Sequence, residues 1–150
     1  MKPVDIWNRI FATGEAPKPE SLLAEGNQPS EWDVIMLAGP LPNLNRKWIC
    51  HRKRFYLRRD RVCGTNLVFG RTRFGWFDPR RTSWLPDLAG SALLLDYEED
   101  PRNGIIMSRV RDYVRTTPDP DLLLGRFYYR GRFISYFSLA RRKGKPSNEV

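Results

Sequence analysis

The sequence predicts a mostly β protein: a small antiparallel barrel or strongly curved sheet, with short helices first and one helix before the last hairpin. Three observations predict it. Leu122–Leu139, "LLLGRFYYRGRFISYFSL", reads as a hairpin about Arg130-Gly131, because glycine takes the positive φ that a two-residue turn requires. Neither face of that hairpin is polar. Pairing Tyr129 with Arg132 puts Leu122/Leu139, Leu124/Phe137, Arg126/Ser135 and Tyr128/Phe133 on one face, and Leu123/Ser138, Gly125/Tyr136 and Phe127/Ile134 on the other. Side chains alternate across a strand, so both faces need cover, one from an interior and one from a further layer. Finally, about seven β-rich runs in a chain of this length suggest closure or strong curvature.

The elements follow in order. Val4–Phe11 has Ile6, Trp7, Ile10 and Phe11 at helical spacing, ended by Gly14 and Pro17. "PESLLAEG" reads as a second short helix, with Ser21 as cap and Gly26 as stop. "WDVIMLAG" opens the β-rich part, and the prolines of "GPLPNLN" make a loop. Strands are expected over Lys47–Leu57, Val62–Phe69, Arg71–Phe77 and Ser91–Tyr97. The glycines of "CGTNLVFG" and "RFGWF" fit bulges or tight bends rather than a phosphate loop. "RNGIIMSRVRDYVRTT" reads as a helix capped by Asn103 and terminated by Pro118. Its stripe of Ile106, Val110, Tyr113 and Val114 is the expected cover for the second hairpin face. "RRKGKPSNEV" reads as a polar, frayed tail.

At 150 residues, 41% hydrophobic and 29% charged, the chain fits one domain. It divides into a helical segment (1–30), a β-rich body (31–140) and a flexible tail (141–150). No apolar run approaches the roughly 20 residues of a membrane span, and the first residues carry no secretory core, so the cytoplasm is the expected compartment. A turn at Arg59-Asp60 sets Cys63 opposite Tyr56 and Cys50 near Phe69, which keeps the two cysteines apart and unbridged. His51 is the single histidine, so no metal site is expected. No motif asks for a cofactor.

Arg126 raises the sharpest chemical question. The register sets it beside Ser135 between apolar layers, and a buried guanidinium needs a partner. That partner is either a carboxylate such as Asp96 or Asp112, or the acidic head of an amphipathic ligand held in the guanidinium fork. Charge is also uneven. Arg46–Arg81 holds twelve Lys/Arg against Asp60 and Asp78, and Arg52, Lys53, Arg54, Arg58 and Arg59 interleave with Trp48, Phe55 and Tyr56. Such a stretch fits either a single-stranded nucleic-acid platform or a solvated hairpin edge. "LLLDYEEDP" ends a strand in carboxylates; Asp96 shares a face with Leu94 and is a candidate general base, or part of a solvated strand end.

The Trp-bearing stretch "NRKWICHRKRFY" and the closing aromatic hairpin resemble those of the calycin-like barrels, the lipocalins and fatty-acid-binding-like proteins. The Gly-x-Trp pattern of lipocalins is absent, since Arg46 and Lys47 precede Trp48. The segments "RFGWF", "LLLDYEEDPRN", "RVRDYVR" and the last hairpin also look like those of small bacterial proteins, a likeness that implies no activity. The calycin resemblance implies a barrel that holds an apolar ligand. The first functional reading is therefore a small, mainly apolar ligand, with an anionic amphipathic one as its variant, held by Arg126, Tyr128 and Ser135 between walls of Phe133, Phe137 and Trp76. A nucleic-acid-binding module through residues 46–81 is the alternative. A third reading is an isomerase- or cyclase-type enzyme using Asp96, Tyr128 or Tyr136 in the barrel. Oligomeric state is not legible in the sequence.

Overall fold

The computed structural model describes residues 2–37, 45–46 and 48–143. The expected loop at 39–45 falls almost wholly outside them, as do Lys47 and the last seven residues of the expected tail. Eight antiparallel strands close into a barrel: β1 (Ser30–Met36), β2 (Arg52–Arg58), β3 (Arg61–Val68), β4 (Thr72–Thr82), β5 (Ala92–Asp96), β6 (Val110–Thr116), β7 (Leu122–Tyr129) and β8 (Arg132–Arg141). Each strand pairs with its sequence neighbour, and β8 returns to pair with β1. Closure removes the unpaired edges that an open sheet would leave.

The tight turns take left-handed backbone geometry at both central residues. Arg59 and Asp60 both take positive φ between β2 and β3, as do Arg130 and Gly131 between β7 and β8, the mirror-image turn that matches strand twist. Tyr56 pairs with Cys63 as expected, and both cysteines are free thiols. Gly75 is the extra residue where the β3–β4 register shifts, with φ of +65°. An added Cβ there would press on Met107, Asn66 and Tyr97, so only glycine fits.

The barrel has an inside and a covered outside. Trp32, Phe55, Phe77, Leu93, Leu95, Val114, Leu123, Phe137 and Leu139 fill the interior. Leu22 and Leu23, around a short 3₁₀ turn at Pro19–Leu22, join the same cluster. There Trp32 Nε1 donates to the Leu22 carbonyl (3.1 Å) and the Arg141 guanidinium lies 4.2 Å from the Trp32 ring centroid. The helix α1 (Pro3–Thr13) is amphipathic and lies outside. Its Phe11 is completely buried against Leu85, Leu94, Tyr113, Leu124, Tyr128 and Tyr136, with Val4, Trp7 and Ile10 alongside. Arg115 fastens this layer by donating to the carbonyls of Phe11, Ala89 and Ser91.

Two expectations are corrected. The helix before the last hairpin is present, but it is a single turn, α2 (Gly104–Met107), and the rest of the expected helix is strand β6. Val110, Asp112 and Val114 point inward on β6 while Tyr113 and Arg115 point out, an alternation that the stripe of Ile106, Val110, Tyr113 and Val114 masked. Ile106 is 70% exposed, Val110 and Val114 face the interior and Tyr113 the outer layer, so the four form no single covering stripe, and α1 is the layer over the outer hairpin face. The hairpin itself pairs Tyr129 with Arg132 and Tyr128 with Phe133 as expected. Beyond them a bulge at Ile134 shifts the register, so Phe127 faces Ser135, Arg126 faces Tyr136 and Gly125 faces Phe137. Both faces are covered, but Arg126 and Ser135 do not share one.

Candidate functional site

In a closed antiparallel barrel, alternate connections emerge at the same end. The Met36, Val68, Asp96 and Tyr129 ends of β1, β3, β5 and β7 therefore ring one mouth. Inside it lies a cavity of about 180 Å³, walled by Val34, Met36, Val68, Phe74, Met107, Val110, Phe127 and Phe137. His51, Lys53, Asn66, Tyr97 and Asp112 complete the lining. Strand alternation brings them there: Lys53 is in register with Asn66 and with Trp32, and Asp112 with Leu95 and Phe127, all on inward positions.

These polar groups bond to one another. Lys53 Nζ donates to Asn66 Oδ1 (2.7 Å) and to the Tyr97 hydroxyl (2.9 Å), and lies 3.0 Å from Asp112 Oδ2. Tyr97 donates to Asp112 Oδ2 (3.0 Å), and Asn66 Nδ2 donates to the Tyr97 oxygen (3.0 Å). The ammonium also lies 5.1 Å from the Phe77 ring centroid, close enough for attraction to the ring quadrupole. Lys53 is 3% and Asp112 2% exposed, so each charge depends on the other, because removing one would strand its partner in an apolar interior.

Burial governs the protonation here. It pulls the Lys53 ammonium below its ordinary value, opposed by the attraction of Asp112. It holds the Tyr97 phenol well above the usual range, and the nearby carboxylate adds to that. Burial, followed by the positive charge of Lys53, pushes His51 down to about 4, so its ring is neutral near pH 7. His51 Nε2 stands 3.4 Å from Asn66 Oδ1. Asp112 Oδ1 and His51 Nδ1 are buried and have no hydrogen-bond partner among the described residues.

The residues singled out in the sequence are dispersed. Arg126 is on the outer face, beneath α1. It donates to the Tyr128 and Tyr136 hydroxyls, pairs with Asp87 (3.0 Å), and lies 3.9 Å from the Phe133 ring centroid. Its carboxylate is thus Asp87, from the β4–β5 connection, rather than Asp96 or Asp112. Tyr128 donates to the same Asp87, and Tyr136 donates to Asn8 of α1. Ser135 is fully buried and donates to the Tyr136 carbonyl. Of the expected ligand set only Phe137 lines the cavity. Trp76 is on the outer wall, where the Arg102 guanidinium lies 4.5 Å from its ring centroid.

Asp96 does share a face with Leu94, but that face is the outer one. Asp96 pairs there with Arg80 and Arg111 and accepts from the Glu98 amide. The basic stretch is also divided. Lys53 is inside; Arg52 and Arg54 are outside and pair with Glu31; Arg58 and Arg59 are exposed at the β2–β3 turn. Trp48 is 62% exposed before β2, stacked on Phe69, so the tryptophan of the early strand is Trp32 of β1.

Sequence reasoning passes over Asn66 and Tyr97, weighs Asp112 only as a carboxylate for Arg126, and assigns Lys53 to the surface. The signal was parity: Lys53 shares its strand face with Phe55, and Tyr97 shares one with Leu93 and Leu95. Among the described residues, no group of three or more His, Cys, Asp or Glu is placed to hold a metal ion, and no helix is long and apolar enough to cross a membrane.

Fold and site together define a class: a closed eight-stranded antiparallel barrel with an apolar cavity at its mouth and a buried, charge-paired cluster in the cavity wall. No protein-family model, curated protein or solved structure matches the chain.

Proposed function

We propose that the protein is a calycin-like barrel that binds a small, mainly apolar molecule in the cavity at its mouth. The observation that carries this reading is the cavity itself, about 180 Å³ with apolar side chains on most of its wall. An apolar cavity of roughly 150 Å³ suffices to hold benzene, so the fitting ligand is a single ring or a short chain. Eight strands are also the number at which a barrel interior accommodates one small ligand. In this reading Phe137 remains a wall residue, while Arg126, Tyr128 and Phe133 hold α1 and the β4–β5 connection against the barrel. The test is titration with ethylbenzene, followed through the methyl resonances of Met36 and Met107. Saturable shifts at one site per chain are expected; methyls that do not respond would overturn the reading.

A second reading has one observation in its favour. Arg58, Arg59, Arg61 and Arg102 line a single cleft with Tyr56 and Trp76 on the outer wall, a mixture of cations and aromatics suited to a single-stranded nucleic acid. Binding through it would weaken steeply with salt and would be lost on charge reversal at Arg58, Arg59 and Arg61. Salt-independent elution from heparin would count against it.

A further inference from the structure

We infer that the rim of the barrel mouth is a docking surface for an anionic lipid bilayer, with Trp48, Phe69, Ile105 and Ile106 as the side chains that enter the headgroup layer. Docking by this rim does not require that the cavity beneath it hold a ligand.

The exposed apolar side chains are concentrated there. Trp48, Phe69, Ile105 and Ile106 are each more than half exposed. Trp48 precedes β2, Phe69 follows β3, and Ile105 and Ile106 precede β6, all at the strand ends that ring the mouth. Among the described residues, Trp84 is the one other large apolar side chain more than half exposed, and it lines a cleft with Arg109 and Arg130 beside the same end. The backbone under these tips is tied down. Trp48 stacks on Phe69 with ring centroids 5.6 Å and planes 13° apart, and the Phe69 amide donates to the Ile49 carbonyl (2.6 Å). Phe69 holds this position with φ of +56°, a left-handed conformation that disfavours a bulky side chain. The Arg130 amide donates to the Arg109 carbonyl (3.2 Å), and Met107, next to Ile106, belongs to the cavity wall.

Cations stand among the tips. Arg46, Arg71, Arg109, Arg130 and Arg132 are exposed at the same end. The carboxylates there, among the described residues, are Glu98, Glu99 and Asp100; Glu98 is matched by Arg111 (2.8 Å) and Asp100 by Arg102 (2.7 Å). The rim therefore carries a positive surplus, in keeping with the net charge of +9. Exposed apolar patches mark interaction surfaces, and the charge selects the partner. A second copy of this chain, set mouth to mouth, would bring arginine against arginine. An anionic bilayer answers both features. Trp, Phe and Ile leave water in the headgroup layer, where an indole ring is well placed, and each arginine close to the negative surface strengthens binding about fivefold. Separate tips on three stretches of chain, rather than one shaped groove, also suit a fluid surface.

Co-sedimentation of the intact protein with vesicles tests this, using phosphatidylcholine alone and phosphatidylcholine with roughly a quarter phosphatidylserine. Binding to the anionic vesicles should be at least about tenfold stronger and should weaken with salt. Trp48→Ser with Phe69→Ser, and separately Ile105→Ser with Ile106→Ser, should each lower it about tenfold, with circular dichroism and melting retained. Arg109→Glu with Arg130→Glu should do the same, whereas Lys18→Glu with Arg81→Glu, a reversal at exposed positions away from the mouth, should cost far less. Anionic vesicles bound no better than neutral ones, undiminished binding in either apolar double variant, or equal losses from the two charge reversals would overturn the inference. A dimer in solution that falls apart on Trp48→Ser with Phe69→Ser would also overturn it, since a second copy would then be what covers the rim.

Discussion

Lys53 lies in the most basic stretch of the chain, and among the described residues of that stretch it is the one cation drawn into the barrel. Its place depends on Asp112, so Lys53→Met should cost about 3–5 kcal/mol, the range for breaking a buried pair from one side. Adding Asp112→Asn should recover part of that loss, because the stranded carboxylate is then gone; urea denaturation of the single and double variants measures both. His51 makes a separate, pH-dependent contribution. Its unfolded ring takes up a proton near 6.5 and its folded ring only near 4. Between those values the unfolded chain binds more protons, so stability is complete above about pH 6.5 and falls as the pH is lowered towards 4. The full loss is on the order of 3 kcal/mol at about 1.4 kcal/mol per unit. As the only histidine, His51 can be followed by its own ring resonances, and His51→Phe should flatten this part of the stability profile.

Among the elements, the closing hairpin carries the most information. Its turn, its strands and the burial of both faces were all legible, because Arg130-Gly131 and the doubly apolar strands leave few alternatives. The bulge at Ile134 was not. One unpaired residue moves every later side chain of β8 to the opposite face, and no local residue signals it. This is why Arg126 seemed to share a face with Ser135 and Phe137 and thus to mark a ligand site. β6 was hidden for a different reason: Val110, Tyr113 and Val114 satisfy a helical period as well as an alternating one, and only closure of the barrel between β5 and β7 decides between them. Lys53 shows the same ambiguity in charge, since a cation beside Arg52 and Arg54 reads as surface until its strand neighbours are counted. The bulge itself yields a prediction. Gly125 lies under the Phe137 ring, which a Cβ would strike. Gly125→Ala should destabilise by about 1–3 kcal/mol, the usual cost of overpacking, whereas the register without a bulge would place Tyr136 there. A thermal melt of Gly125→Ala with and without Phe137→Leu checks this, and relief by the second change is expected.

At the scale of the molecule, the two ends of the barrel differ. Leu22, Leu23 and Trp32 pack among the interior side chains towards one end, while the apolar cavity lies at the mouth end. The outer face under α1 spends its charges internally, through Arg126 with Asp87 and Arg115 with three carbonyls. The mouth is where the proposed binding site lies. Val68, at the last position of β3, lines the cavity and is only partly buried, so a larger side chain there can fill the space without breaking the interior. The affinity of ethylbenzene for Val68→Trp, compared with the unaltered protein by calorimetry, tests this most directly. Loss of binding with the barrel's circular dichroism and melting retained is the predicted result. A folded variant that binds ethylbenzene as tightly as the unaltered protein would contradict the account.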